Sequence, residues 1–303
     1  MGEFTLVITT GGTIACTQNA SGALVPTRTA AELVAASGNG LPVRTYDAVS
    51  LDSSSVGLGD IDMLRGLVSS ALDDASVSSV VVTHGTDSLA ETALALDLVH
   101  DDPRPVVLTG AMRPADHPHP DGPENLRRAI DVAADRLRRG TGVLVHFGGE
   151  TLPARGLQKV HTSDLHAFAL ASERPLPRPV AVQPAPLAPL RVPIIRAWAG
   201  ADAELVRAVA QLNPDGVVVE ALGAGNVSDA MGEAIADLLS AGVPVVVASS
   251  VPNGEVAFDY GGAGGGSTLG ALGAIPAGFL RAGQARIALA TALSSGVAPQ
   301  TLF

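Results

Sequence analysis

The sequence predicts an α/β protein with two α/β domains. The larger, N-terminal domain has a mostly parallel sheet flanked by helices, and the smaller, C-terminal one is a second parallel-sheet domain. Three observations carry this. Short β-branched runs alternate with segments of helical period, the pattern of successive βαβ units. The runs are almost wholly apolar, as strands covered on both faces must be. A proline-rich stretch over 172–191 interrupts the alternation, which then resumes. Read as an extended linker, it separates domains at 1–171 and 192–303. With 303 residues, 47% of them apolar, the chain can bury a core of that size.

In order, residues 4–8 form the first strand, short and β-branched. Gly11 and Gly12 break it and allow a sharp turn into Thr13. Residues 20–26 read as a polar, glycine-containing loop, a candidate mobile lid. A short helix over 29–36 has Thr29 as cap and Glu32 in its first turn. A strand over 42–51 runs into Asp52, Ser53, Ser54 and Ser55, and 59–73 has helical spacing. The strand over 79–82 leads directly into His84-Gly85-Thr86-Asp87, and 88–99 gives an apolar helical face. Strand 105–108, helix 121–139 with Pro123 in its first turn, and strand 142–147 complete the regular pattern. The segment 148–168, which carries Lys159, has no clear period. Beyond the linker come strand 192–196, helix 203–211, strand 216–220, a loop at 223–227, helix 228–241, strand 244–248, a glycine run at 261–266 and a closing helix over 283–293.

Composition narrows the function. Acidic residues number 30 against 19 basic ones, for a net charge of −11, which disfavours nucleic acid and anionic membrane surfaces as partners. A small-molecule substrate fits better. No run is apolar enough to span a bilayer, and the chain opens on a core strand without a secretory leader, so cytoplasmic residence is expected. The single cysteine, Cys16, excludes an internal disulfide and reads as a small buried filler.

Three strand ends in the first half present hydroxyls: Thr13, Ser53 with Ser54, and Thr86 beside the carboxylate of Asp87. In a parallel sheet all three converge on one edge, where ligands bind. Acyl transfer needs a nucleophile, a group to deprotonate it and donors for the oxyanion. Thr13 or Thr86 can supply the hydroxyl, Lys159 the base, and the backbone N–H groups around Gly12 and Gly85 the donors. Asp116, His117, His119 and Asp121 cluster in sequence, but Pro118 and Pro120 extend that segment, and it reads as a structural loop rather than a metal site. His84 reads as a hydrogen-bonded structural histidine.

Taken together, these motifs resemble the bacterial-type L-asparaginase family. The matching residues are Thr10-Gly11-Gly12-Thr13-Ile14-Ala15, His84-Gly85-Thr86-Asp87-Ser88, Gly110-Ala111-Met112-Arg113-Pro114, Asp121-Gly122-Pro123 and Asn125-Leu126, in the family's order. A weaker likeness continues through Gly223-Ala224-Gly225-Asn226 and Gln284-Ala285-Arg286. The resemblance implies hydrolysis of the side-chain amide of L-asparagine through an acyl-enzyme on Thr13. Thr86, Asp87 and Lys159 would form a second hydrogen-bonded group; Lys159, the only lysine in the chain, opens a Lys159-Val160-His161-Thr162-Ser163-Asp164 stretch similar to the family pattern. It also implies a substrate-binding set of Gly12, Ser53, Ser54, Gly85, Thr86, Asp87 and Asn226. Within this set Ser53 would hold the α-carboxylate, Asp87 the α-ammonium, and Asn226 would reach across a subunit interface. No cofactor or metal is implied, and the assembly would be a homodimer or homotetramer with sites between subunits.

The sequence departs from the family in its lid, Ser21-Gly22-Ala23-Leu24-Val25-Pro26, which lacks the usual tyrosine; the only tyrosines are Tyr46 and Tyr260. Ser54 replaces a glutamine, and the glutamate often supplied by a neighbouring subunit has no match. Dual asparaginase/glutaminase activity is therefore a close alternative. A catalytically silent amino-acid sensor is the alternative of a different class, and the intact set Thr13, Thr86, Asp87 and Lys159 stands against it.

Overall fold

The computed structural model describes residues 2–303. The chain divides into two compact units, with the break between Ala169 and Leu170.

In the first unit, β1 (Phe4–Gly11) is followed by a hairpin of β2 (Cys16–Gln18) and β3 (Leu24–Pro26). Then come α1 (Ala30–Ser37), β4 (Val43–Leu51), α2 (Leu58–Asp73), β5 (Val77–Thr83), α3 (Leu89–Asp97), β6 (Val106–Thr109) and α4 (Gly122–Ala134). It closes with β7 (Val143–Phe147), β8 (Glu150–Pro153), β9 (Leu157–Lys159) and β10 (Phe168–Leu170). The main sheet runs β4-β1-β5-β6-β7-β8, parallel except for β8.

This order contains one reversal. From β1 the chain moves out to β4 on one side, then returns to lay β5 on the other. The crevice beyond the carboxyl ends of β1 and β5 is thus a topological switch point, where open α/β sheets bind ligands. Both strands end in the polar clusters that the sequence singled out.

The strands are buried because their residues are apolar on both faces: Val7 and Ile8 of β1, and Val80, Val81 and Val82 of β5 have at most 1% exposure. α1 and α4 cover one face through Leu33, Leu126, Ala129 and Ile130, which pack on Val7, Val81 and Val107. α1 starts at the Thr29 cap that its sequence predicts, in a reciprocal capping box with Glu32, and it ends at Gly38 in the left-handed region.

Three segments differ from expectation. Residues 20–26 are the turn and second strand of the β2–β3 hairpin, because Asn19 Oδ1 accepts from the backbone N–H groups of Ser21 and Ala23 at 3.0 Å and closes the turn. α4 stops at Ala134 instead of continuing to 139, because Asp135 leaves helical geometry and its carboxylate caps a short 3-10 turn at Leu137 N. The unreadable stretch 148–168 contains β8, which folds back antiparallel on β7 through Gly148 and Gly149, and then β9.

The second unit holds a fully parallel sheet of β11 (Ile194–Arg196), β12 (Val217–Ala221), β13 (Val245–Ser249) and β14 (Ile275–Pro276), in that order. Its helices are α5 (Glu204–Ala210), α6 (Asp229–Ser240), α7 (Gly266–Ala271) and α8 (Ala282–Ser295). Val206, Met231, Ile235 and Leu238 pack on Val217, Val219, Val245 and Val247 to form its core. Residues 171–193 contain no helix or strand. α8 ties this stretch down, with Arg286 Nε donating to Val192 O at 2.9 Å and Ser295 Oγ to Gln183 O at 2.8 Å. Among the described residues no helix is long and apolar enough to cross a membrane.

Candidate active site

β1 delivers the first group. Gly11 and Gly12 have φ of 96° and 80°, a region that favours glycine, and they swing the chain out of the sheet into a 3-10 turn over Thr13–Ala15. Gly12 must also be glycine for space: a Cβ there would lie 2.5 Å from the backbone of Gly85. The turn after β1 and the loop after β5 therefore touch backbone to backbone. Ala15 N donates to Gly12 O at 3.0 Å and the Cys16 thiol to the same oxygen at 3.3 Å. Burial, with the nearby Asp52 carboxylate, pushes the Cys16 thiol above its ordinary pKa, so it is protonated and a poor nucleophile.

β5 delivers the second group. His84 is buried, and its Nδ1–H donates to Gly85 O at 2.8 Å, since a carbonyl can only accept. The Thr92 hydroxyl then donates to Nε2 at 3.3 Å. Burial holds the His84 pKa below its ordinary value, so the ring is a neutral strut that shapes the loop. The backbone N–H of Asp87 donates to Ser53 Oγ at 3.2 Å, and Ser88 Oγ donates to Ser53 O at 2.7 Å. These bonds lock the Ser53 turn, which follows β4, onto the loop after β5.

Lys159, at the end of β9, points its ammonium at this loop. Nζ donates to Thr86 Oγ1 at 2.9 Å and to Asp87 Oδ1 at 2.7 Å. An ammonium that donates to a hydroxyl oxygen leaves the hydroxyl proton free to be given elsewhere. Thr13, Ser53, Thr86, Asp87 and Lys159 line one cavity of about 350 Å3, together with Gly12, Asp52, Met112 and Thr162. The Thr13 hydroxyl has no hydrogen-bond partner among the described residues.

Three candidate residues do not line this cavity: Gly85, whose backbone packs against Gly12, and Ser54 and Asn226. Ser54 is exposed and does not line the cavity; its N–H donates to Asp52 Oδ1 at 3.2 Å. Asn226 belongs to the second unit, where its Oδ1 accepts from Gly266 N at 3.4 Å. Tyr46 and Tyr260 are both exposed.

Asp121 and Asn125, which the sequence analysis placed in matching motifs without a role, hold the third wall. Asp121 accepts from Met112 N and Arg113 N, both at 2.9 Å. Asn125, 3% exposed, donates to Gly110 O at 3.0 Å and accepts from Gly148 N at 3.2 Å. The signal was an Asp and an Asn four residues apart at a helix start, just after a Gly-Ala loop; such residues serve as backbone brackets as readily as caps. The neighbouring His/Asp cluster is likewise used internally: Asp116 accepts from Gln18 N at 2.8 Å, and His117 Nδ1 accepts from His119 N at 3.0 Å.

Residues 5–184 match the family model described as asparaginase, N-terminal, and residues 191–302 match that of the glutaminase/asparaginase C-terminal domain. The chain belongs to the asparaginase family. This asparaginase-family chain is 36% identical to a probable L-asparaginase of Deinococcus radiodurans, over 98% of its own length and 94% of the relative's. It is 31% identical to an L-asparaginase of Bacillus licheniformis, over 97% of each. Among solved structures, the thermostable L-asparaginase from Thermococcus kodakarensis superposes with a TM-score of 0.85 at 28% identity, covering 99% of this chain and 95% of that one. A probable cytoplasmic L-asparaginase from Campylobacter jejuni gives 0.84 at 26%, covering 99% and 98%.

Proposed function

We propose that this asparaginase-family chain hydrolyses the side-chain amide of L-asparagine to L-aspartate and ammonia through an ester on Thr13. The observation that carries this reading is a lysine-held threonine–aspartate pair lining the same cavity as Thr13, whose hydroxyl has no hydrogen-bond partner among the described residues.

In this mechanism the Thr13 oxygen attacks the amide carbon, and the amide oxygen takes the negative charge. Backbone N–H groups of the two touching glycine turns stabilise that charge. The C–N bond then breaks as the nitrogen takes the proton released by the threonine, and ammonia leaves. Water attacks the resulting ester, the bond to Thr13 breaks, the oxygen recovers its proton and aspartate is released. Thr86, Asp87 and Lys159 carry the protons, because they are already joined in one hydrogen-bonded chain. Ser53 donates its hydroxyl hydrogen to the substrate α-carboxylate while its oxygen stays bound to Asp87 N. Asp87 pairs with the α-ammonium. Gly12 and Gly85 shape the floor, and Asn226 acts from a neighbouring subunit of a homodimer or homotetramer. The chain needs no cofactor or metal for this reaction and works in the cytoplasm.

The test is ammonia release from L-asparagine and L-glutamine in parallel, with Thr13→Ala as the control. Turnover of asparagine that vanishes in the variant supports the reading, and the glutamine rate measures selectivity. Binding of both amides without cleavage would replace it with the sensor reading.

A further inference from the structure

The peptide segments that wall the candidate active site have a second side. Thr13 and Met112 line the substrate cavity, whereas their immediate neighbours Ile14 and Arg113 line a separate cavity of about 190 Å3. The remaining walls of this second space come from the α1 face (Leu33, Ala36) and the start of α4 (Pro123, Leu126). Its floor is apolar: Ile14, Leu33 and Leu126 are at most 6% exposed.

Three charged side chains stand at this cavity, and two of them cancel. Arg28 Nη1 lies 3.6 Å from Glu32, whose carboxylate is also held by Thr29 N at 2.8 Å and Thr29 Oγ1 at 3.0 Å. Arg113 is left. Its one side-chain hydrogen bond among the described residues goes to His119 O at 3.0 Å, so most of its planar donor fork is unused. An apolar space with a single unneutralised guanidinium suits a small monoanion with an apolar body. A dry cavity of about 150 Å3 accommodates a benzene-sized molecule, which sets the scale of that body.

The cavity is wired to the turn that carries Thr13. Ala15 O accepts from Thr27 N at 2.9 Å and from Arg28 N at 3.0 Å. On the other side, Ala115 N donates to Cys16 O at 2.8 Å. Ile14 presses on the start of α4, its Cγ1 lying 2.8 Å from where a Cβ on Gly122 would be. A ligand seated here therefore pushes on Ile14, one peptide from Thr13.

We propose that this second cavity binds a small monocarboxylate with a branched aliphatic or single-ring body, the carboxylate on Arg113 and the body on Ile14, Leu33 and Leu126. Occupancy alters the turn that presents Thr13, so the ligand acts as an effector and not as a substrate. A ligand of this size binds with a Kd on the order of 1 mM.

The probe is 3-methylbutanoate, with 3-methylbutanol as its uncharged counterpart, titrated into the full-length protein by calorimetry and by backbone amide spectra. Saturable binding that moves the Ile14 and Arg113 amides is expected, with no competition from L-aspartate and no binding of the alcohol. Arg113→Gln should weaken binding about tenfold or more, the loss of one charged hydrogen-bonded pair. Ala36→Leu fills the cavity and should abolish both binding and the response of ammonia release to the probe. In wild type the probe should change the rate of that release saturably over the same concentrations. Absence of saturable binding, competition by L-aspartate, or indifference to Arg113→Gln would overturn the site, and binding without a rate change would overturn the coupling. The binding arm reads out even if the chain does not cleave asparagine, so the two readings fail separately.

Discussion

Thr13 and Thr86 follow adjacent parallel strands, yet they are held in opposite ways. Thr86 receives a hydrogen bond from Lys159 at 2.9 Å, and Asp87 beside it receives a second at 2.7 Å. Thr13 sits on a one-turn 3-10 helix whose bonds are all made by the backbone and by Cys16, leaving its hydroxyl unengaged. A hydroxyl already committed to a lysine moves protons well; one with no partner and a glycine hinge behind it can approach a carbonyl carbon. The same residue type thus acquires two roles from the contacts around it.

Separating those two roles is the largest expected effect. Thr13→Ala should lower kcat for ammonia release by about 10^4-fold or more, as loss of a nucleophile does. Lys159→Met should cost about 10^2- to 10^4-fold, the range of general acid–base assistance. Mass spectrometry of quenched reactions sharpens the contrast: Lys159→Met should accumulate the Thr13 ester, which Thr13→Ala never forms. Equal losses with no ester in either variant would erase the distinction.

Next comes the place where the two loops touch. Gly12→Ala puts a Cβ 2.5 Å from Gly85 at a φ of 80°. A stability loss of about 1–3 kcal/mol is expected. Displacement of Thr13 by about 1 Å should cost roughly 10^2-fold in kcat. Thermal unfolding and kinetics measured together check both.

A smaller effect concerns pH. Burial lowers the His84 pKa in the folded state, so the unfolded chain takes up the proton first as pH falls. This histidine therefore leaves stability unaffected above its unfolded pKa of about 6.5 and removes stability below it. His146 is also lowered by burial and adds a contribution of the same sign. Denaturant titrations at several pH values should show a shallower acid limb in His84→Gln, by at most about 1.4 kcal/mol per pH unit.

The smallest change lies beneath the site. Thr83 Oγ1, on β5, is buried without a hydrogen-bond partner. Thr83→Val keeps the shape and removes that polar atom. Stability should stay within about 1 kcal/mol or rise, with activity unchanged, as urea midpoints and ammonia release will report.

Much of this architecture was legible in the sequence. The valine-rich β5 and β6 announce themselves as strands buried on both faces, and Thr29 with Glu32 announces the start of α1. Thr13, Ser53, Thr86 and Asp87 were legible as candidates because each directly follows a strand. The route of the chain from Gly148 to Phe168 was not, since β8 and β9 are only 4 and 3 residues long and half-buried, too short to show a period. Nor was the bracketing role of Asp121 and Asn125, because the same residue types at a helix start serve equally as caps.

The sequence by itself determined the longer buried strands and the helices that cover them, which of those strands end in polar residues, and that glycine follows β1 where a left-handed turn is needed. These properties depend on neighbours a few residues apart: side-chain periodicity, steric limits on φ, and local capping. Only the tertiary structure decided that β1 and β5 lie side by side, that Gly12 meets Gly85, and that Lys159 reaches Thr86 from 73 residues along the chain. It also decided that Ile14 and Arg113 open onto a second cavity. Such pairings are settled by which apolar faces pack together, and that depends on all the elements at once.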